Sequence, residues 1–293
     1  MSAVKRLVVC GGNGFVGSRI CRSAVARGWD VISISRSGEP HWDSVTSSSI
    51  APSWAKKVSW QRANIFVPQT YVPYLKGADY VVHSMGILLE ADYKGVISGR
   101  ESPIAGLRKA FSPAKGHSTS NPLQRRDQEG EQSIRPPESA AQLTYEMMNR
   151  DSAVLLAKEA DREGCAAFAY MSAAAGAPVL PSRYISTKRE AEDLIAREFP
   201  RMRGVFVRAP FMYDPSRPVT MAMAGATAAG AIFNGLTRGA LSSLMGAGGV
   251  KPLKADVVAD AVVEALADEN VKGPVEVPKI EELADKSWRR TML

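Results

Sequence analysis

The chain has 293 residues, of which 45% are hydrophobic and 23% charged, with a net charge of +7 and a pI near 9.3. These values describe an ordinary soluble globular protein, long enough for one large α/β domain with a smaller lobe. Three scattered cysteines, Cys10, Cys21 and Cys165, argue against a disulfide framework or a zinc site, and the basic balance favours anionic partners, but no aromatic-basic motif supports nucleic acid.

No secretory segment precedes the first apolar run, which begins almost at Met1. Residues 1 to 29 contain Lys5, Arg6, Arg19, Arg22 and Arg27 and no acid before Asp30. This composition resembles a transit peptide laid over a folded element, and a solvated helix face accounts for it equally well.

Leu7 to Cys10, apolar without alternation, predicts a strand buried on both faces. It breaks into Gly11-x-x-Gly14-x-x-Gly17, and helix-compatible sequence runs from Phe15 to Arg27. A dinucleotide site needs this order. Gly11 permits a tight turn, Gly14 lets backbone N–H groups approach a pyrophosphate, and Gly17 lets helix and strand pack closely. Asn13, Phe15 and Val16 complete the expected phosphate turn.

Asp30 to Ser35 predicts a second strand ending in Arg36-Ser37-Gly38. An arginine beside the adenosine ribose accommodates a 2′-phosphate, where an acid selects NAD, so Arg36 and Ser37 predict NADP. Val58 to Arg62 reads as a third strand, and Asn64-Ile65 is expected near the adenine. Residues 68 to 77 read as a short helix. Asp79 to Ser84 is a fourth strand, closed by Met85-Gly86, whose small backbone suits the edge of a cofactor. His83 reads as a strand side chain, because no second metal ligand sits at useful spacing.

From about Lys94 to Gln142 five prolines and many polar residues give no sustained periodicity, which predicts a long disordered insertion. Helical sequence resumes at Thr144 and stops at Gly164. A fifth strand, Ala166 to Met171, delivers Ser172 at the edge where open parallel sheets bind ligands.

The next helix carries Tyr184-Ile-Ser-Thr-Lys188. Four residues apart on a helix means one face, so phenol and ammonium point into the same space. The ammonium is expected to lower the phenol pKa, letting Tyr184 act as general acid or base. Ser172 is expected to hydrogen-bond the reacting oxygen, and Asn149 to hold a water that relays protons to Lys188.

The glycine turn, Ser172 and Tyr184-x-x-x-Lys188 together resemble the extended or atypical branch of the short-chain dehydrogenase/reductase superfamily over roughly Lys5 to Tyr213, as does the Arg208-x-Pro210 turn. That resemblance implies a doubly wound parallel sheet of Rossmann type and Ser172, Tyr184 and Lys188 as the catalytic set. More narrowly, GGNGFVGSRIC, SISRSG, VVHSMGILLE, YEMMN and YISTKREAE are similar to a fungal mitochondrial group associated with the coenzyme Q biosynthetic complex. That group is in turn similar to the NADPH-binding accessory subunit of respiratory complex I. The likeness implies a protein on the matrix side of the inner membrane that serves ubiquinone production, with coenzyme Q complex proteins as partners. Asn64 departs from the family's more usual Asp, Ala209 separates Arg208 from Pro210, and the insertion is also unusual.

Beyond a sixth strand at Val205 to Arg208, Val219 to Gly249 holds one charge, Arg238, and reads as helices with apolar surface suited to a prenylated quinone precursor or a membrane interface. An amphipathic helix follows, with Asp256 expected as its N-cap. Pro274 to Val277 reads as a late strand, and the tail to Leu293 gives no functional signal. The expected division is a nucleotide-binding domain over 1–213 and a mostly helical substrate lobe over 214–293, parts of which return to the core. A nucleotide-binding scaffold without catalysis and a nucleotide-sugar epimerase or dehydratase are the rival functions.

Overall fold

A computed structural model of the protein describes residues 3–46, 48–86, 120–126, 134, 144–175, 182–215 and 250–292. Most of the insertion expected at 94–142, and the apolar segment at 219–249, lie outside these residues.

Strands β1 (Arg6–Cys10), β2 (Asp30–Ser35), β3 (Val58–Arg62), β4 (Tyr80–His83), β5 (Ala167–Ala173), β6 (Arg203–Ala209) and a late strand, Gly273–Val275, form one sheet. Every pairing is parallel, in the order β3-β2-β1-β4-β5-β6 followed by the late strand. Between β6 and that edge come the short strands β7 (Met212–Tyr213) and β8 (Leu253–Lys254), which pair with each other, so the late strand is β9.

β1 explains the layering. Leu7 and Val9 face a core shared with helix α1 (Gly17–Ala26) and two C-terminal helices, whereas Val8 and Cys10 face a second core on the opposite side. That second core is built with α2 (Ser152–Arg162) and α3 (Ser182–Glu198). A strand with both faces covered needs continuous apolar sequence, and each fully buried Val or Leu contributes about 1.5–3 kcal/mol. The sheet is the doubly wound Rossmann arrangement. Its strand order reverses between β1 and β4, and the crevice for a ligand opens at that point.

Some expected boundaries move. The first helix begins at Gly17 rather than Phe15, because residues 11–16 are spent on the turn. Residues 68–77 form two short turns, Pro68–Thr70 and Val72–Leu75, with prolines inside the stretch. Asp256 is not an N-cap. Lys254 occupies the capping position of α4 (Ala255–Ala267), and Asp256 in the first turn pairs with Arg19 at 3.1 Å and Arg22 at 2.9 Å. The tail is also structured: α5 (Val277–Arg290) buries Ile280, Leu283 and Ala284 against the sheet layer.

The basic residues of the first 29 positions all find carboxylates elsewhere. Lys5 pairs with Asp79, Arg6 with Asp30, Arg19 with Asp214 and Arg27 with Glu264. Glu264 on α4 is fully buried and also receives Arg290 at 2.8 Å and Lys286 at 3.5 Å from α5. One carboxylate therefore ties α1, α4 and α5 together, and its removal strands cations that can still reach water. Glu264→Gln is expected to cost about 1–3 kcal/mol of stability in urea unfolding; an unchanged midpoint would show that water replaces the carboxylate without loss.

Candidate functional site

A cleft of about 530 Å³ opens at the carboxyl ends of the strands around the β1–β4 reversal. Among the residues expected to touch a cofactor, Gly11, Asn13, Arg36, Ser37, Ile65 and Met85 line it, with Arg62 and Ala63 added by the structure.

The glycine turn is shaped by contact. Gly11 has φ +85°, a left-handed conformation that disfavours any side chain. A methyl group on Gly17 would overlap the Gly11 carbonyl and lie 2.7 Å from Ser84 Oγ. Gly12, not singled out in the sequence, is equally constrained, since a methyl there would run into Ser33 and Cys21. Gly14 N–H donates to Gly11 O at 2.9 Å and closes the turn. Phe15 and Val16 belong to that turn without lining the cleft, and Phe15 lies under the Arg19 guanidinium, 4.4 Å from its ring centroid. The N-terminal end of α1 is thereby set against β1, as anion binding at a helix start requires. Ser84 donates to Cys10 O at 2.9 Å and serves packing, while Asn64 turns its Oδ1 to Phe66 N–H at 3.1 Å, leaving Ala63 and Ile65 as the wall.

The acid-base residues gather at the far side of the β4 edge. A methyl on Gly86 would lie 3.1 Å from Asn149 Oδ1 and 3.5 Å from Lys188 Nζ, so these groups converge on that backbone. Lys188 Nζ donates to Met171 O at 2.9 Å and sits 5.8 Å from the Tyr184 ring centroid. Asn149 belongs to a π-helical turn, Glu146–Asp151, that runs into α2. Such a turn frees carbonyls from the backbone ladder. Here Ser152 Oγ donates to Met148 O at 2.8 Å and Tyr170 OH donates to Asn149 O. Ser152 Oγ also lies 2.9 Å from His83 Nε2. Its proton being committed to Met148, the His83 nitrogen is the donor.

Two expectations change. Burial pushes the Tyr184 phenol up to about 12 rather than down, with nearby Arg189 opposing the rise, and burial pulls Lys188 down to about 8. Ser172 stands within β5, but its hydroxyl donates to Glu192 and accepts from Arg189 at 2.9 Å. Its single proton is therefore committed away from a reacting oxygen. Glu192 is held in turn by Arg208 at 2.6 Å. A further clamp fixes the first turn of α3, where Arg183 bridges Glu146 at 2.7 Å and Glu190 at 2.6 Å. Arg189 with Glu192, and Arg183 with Glu190, share a helix at helical spacing, whereas Ser172, Arg208 and Glu146 join them only through the fold.

The NAD dependent epimerase/dehydratase family model matches residues 7–91, from the glycine turn through Arg36 to the β4 edge. MIOREX complex component 2 of Saccharomyces cerevisiae is 38% identical over 229 residues, covering 73% of this chain and 75% of the yeast protein. The chain belongs to this epimerase-type, NAD(P)-binding branch of the short-chain dehydrogenase/reductases.

Solved structures of the same architecture include a UDP-glucuronic acid 4-epimerase variant from Bacillus cereus in complex with a fluorinated UDP sugar and NAD. Its TM-score is 0.55 at 16% identity, covering 93% of this chain and 77% of that one. Vestitone reductase from alfalfa has a TM-score of 0.52 at 16% identity, covering 92% and 76%. These two share the fold. Among the described residues no cluster of metal-ligating side chains occurs, and no helix is long and apolar enough to cross a membrane. The cleft and glycine cradle fit the dinucleotide of the family.

Gly17→Ala is expected to abolish nucleotide retention, read by mass spectrometry of the purified protein, and to cost about 1–3 kcal/mol of stability. Full occupancy in that variant would remove the turn as a phosphate cradle. His83, buried and held down to about 3, stays neutral in the fold while the unfolded chain protonates near 6.5. Between those values the unfolded chain binds more protons, so stability falls as pH drops. The melting temperature should consequently fall less from pH 6.5 to pH 4 in His83→Gln than in the wild type. Identical slopes would deny His83 that role.

Proposed function

We propose that the protein is an NADP-preferring reductase of mitochondrial ubiquinone biosynthesis, acting at the matrix side of the inner membrane within a protein complex. The observation that supports the reading is that Lys188 and Asn149 converge on Gly86, with Tyr184 beside Lys188, and that Gly86 directly follows Met85 of the cleft that Arg36 also lines. The sequence likeness to the coenzyme Q group supports the pathway, and the yeast relative's place as a MIOREX component supports a complex.

A bound reduced nicotinamide supplies the hydride. Tyr184, whose raised pKa keeps its proton at neutral pH, donates that proton to the carbonyl oxygen of a ketone or quinone-type substrate. Lys188, still mainly protonated at neutral pH, favours the phenolate left behind and holds the ribose. Asn149 Oδ1, beside Lys188, orients the water that returns a proton.

The hydroxyl of Ser172, committed to Glu192, favours a second reading, in which the protein keeps NADPH as a structural element of its complex. The two readings separate in one experiment. The nucleotide that co-purifies is identified by mass spectrometry, and its oxidation is followed with ring-substituted quinone precursors. Tyr184→Phe is expected to retain the nucleotide and to lose about 10²–10⁴-fold in rate. Rates equal to wild type remove the mechanism, and a tightly held NADPH that no precursor oxidises leaves the scaffold.

A further inference from the structure

Most arginines of the described residues are engaged by carboxylates, as Arg27, Arg150, Arg183 and Arg208 illustrate. Arg36 and Arg62 are exceptions, and both line the same end of the cleft. They arrive there from neighbouring strands, because the register sets Arg62 opposite Ser35, one residue before Arg36.

The loop between them is built to present both. Ser35 Oγ donates to Gly38 O at 2.9 Å and accepts from Gly38 N–H at 3.0 Å, folding residues 35–38 back on themselves. Gly38 takes φ +78°, and a methyl there would stand 3.2 Å from Arg62 Cγ, against the stem of that side chain. Arg62 Nε donates to Ser37 O at 3.3 Å, and Ser37 Oγ accepts from Asn13 Nδ2 at 2.7 Å. Arg62 is thus tethered through its Nε, and its two terminal nitrogens have no hydrogen bond or ion pair among the described residues, in a side chain that lines the cleft together with Arg36. Among the described residues no acid lines this cleft. Two arginines lining one cleft without a carboxylate partner suit an anion able to accept from both guanidinium groups.

We infer that Arg62 is a specificity-determining residue that closes, with Arg36 and Ser37, a two-arginine clamp for a phosphate on the 2′-oxygen of an adenosine nucleotide. This rests on the NADP preference proposed above and assigns a residue on β3 that the glycine turn and Arg36 do not announce. The test uses the full chain and two probes that differ only in that phosphate, adenosine 2′,5′-bisphosphate and adenosine 5′-monophosphate, titrated by calorimetry.

Wild type is expected to prefer the bisphosphate by at least about tenfold, and Arg62→Gln to lose that preference while binding the monophosphate as before. An unchanged melting temperature shows that the variant folds. If wild type prefers the bisphosphate and Arg62→Gln prefers it equally, the role of Arg62 is overturned and the NADP reading stands. If wild type binds both probes alike, the NADP preference itself is overturned, and the clamp with it.

Discussion

The site depends on how closely α1 can approach β1. Gly17 has no room for a methyl beside the Gly11 carbonyl, and Gly12 has none beside Ser33. These approaches bring the first turn of the helix against the strand end, next to the turn residues Gly11 and Asn13 that line the cleft. A larger side chain at either position would lift the helix and widen the turn. The carboxyl ends of β2 and β4 could then no longer meet the same ligand.

Electrostatics hold that approach from the other side. α1 carries arginines toward the C-terminal helices, and the acids that meet them, Asp214, Asp256 and Glu264, come from late in the chain. The basic bias of the first 29 residues is therefore answered within the fold. Arg19 and Arg27 are mostly buried, so the picture of a helix face solvated all round does not describe them. Buried pairs of this kind cost desolvation and are weak evidence for net stability, but breaking one leaves a charge without its partner. Their effect is to specify where α4 and α5 dock.

Much of the framework was legible in the sequence because its signals are local. β2 and β3 occur over the stretches that alternation and turn residues predicted, and β1 differs by one residue. The Tyr184 and Lys188 pair was legible because helical spacing alone puts both on one face. What escaped was decided by partners distant in sequence. Ser172 looked free to serve chemistry until α3 brought Glu192 and Arg189 to it. Asp256 looked like a cap until α1 brought two arginines. α5 was missed because Ile280, Leu283 and Ala284 are sparse in a charged stretch, and only the core they complete gives them meaning.

The π-helical turn shows how an irregular element is maintained where its geometry is needed. An α-helical continuation would satisfy the Met148 and Asn149 carbonyls in the ordinary way and would rotate Asn149 off its face. Instead Ser152 and Tyr170 supply side-chain donors to those two carbonyls, and His83 orients Ser152. Burial keeps His83 neutral, so the arrangement adds no positive charge beside Lys188. That matters because Lys188 is itself desolvated and already held low, and a second cation would drive it further toward neutrality. The Tyr170 ring, 5.2 Å from Lys188 Nζ, offers the ammonium a π face without competing for its protons. The surroundings of Lys188 thus help preserve its charge: Glu192 opposes the pull of burial and of Arg189, and a neutral His83 adds no further cation. That is how a lysine in a dry site can still stabilise a phenolate formed next to it.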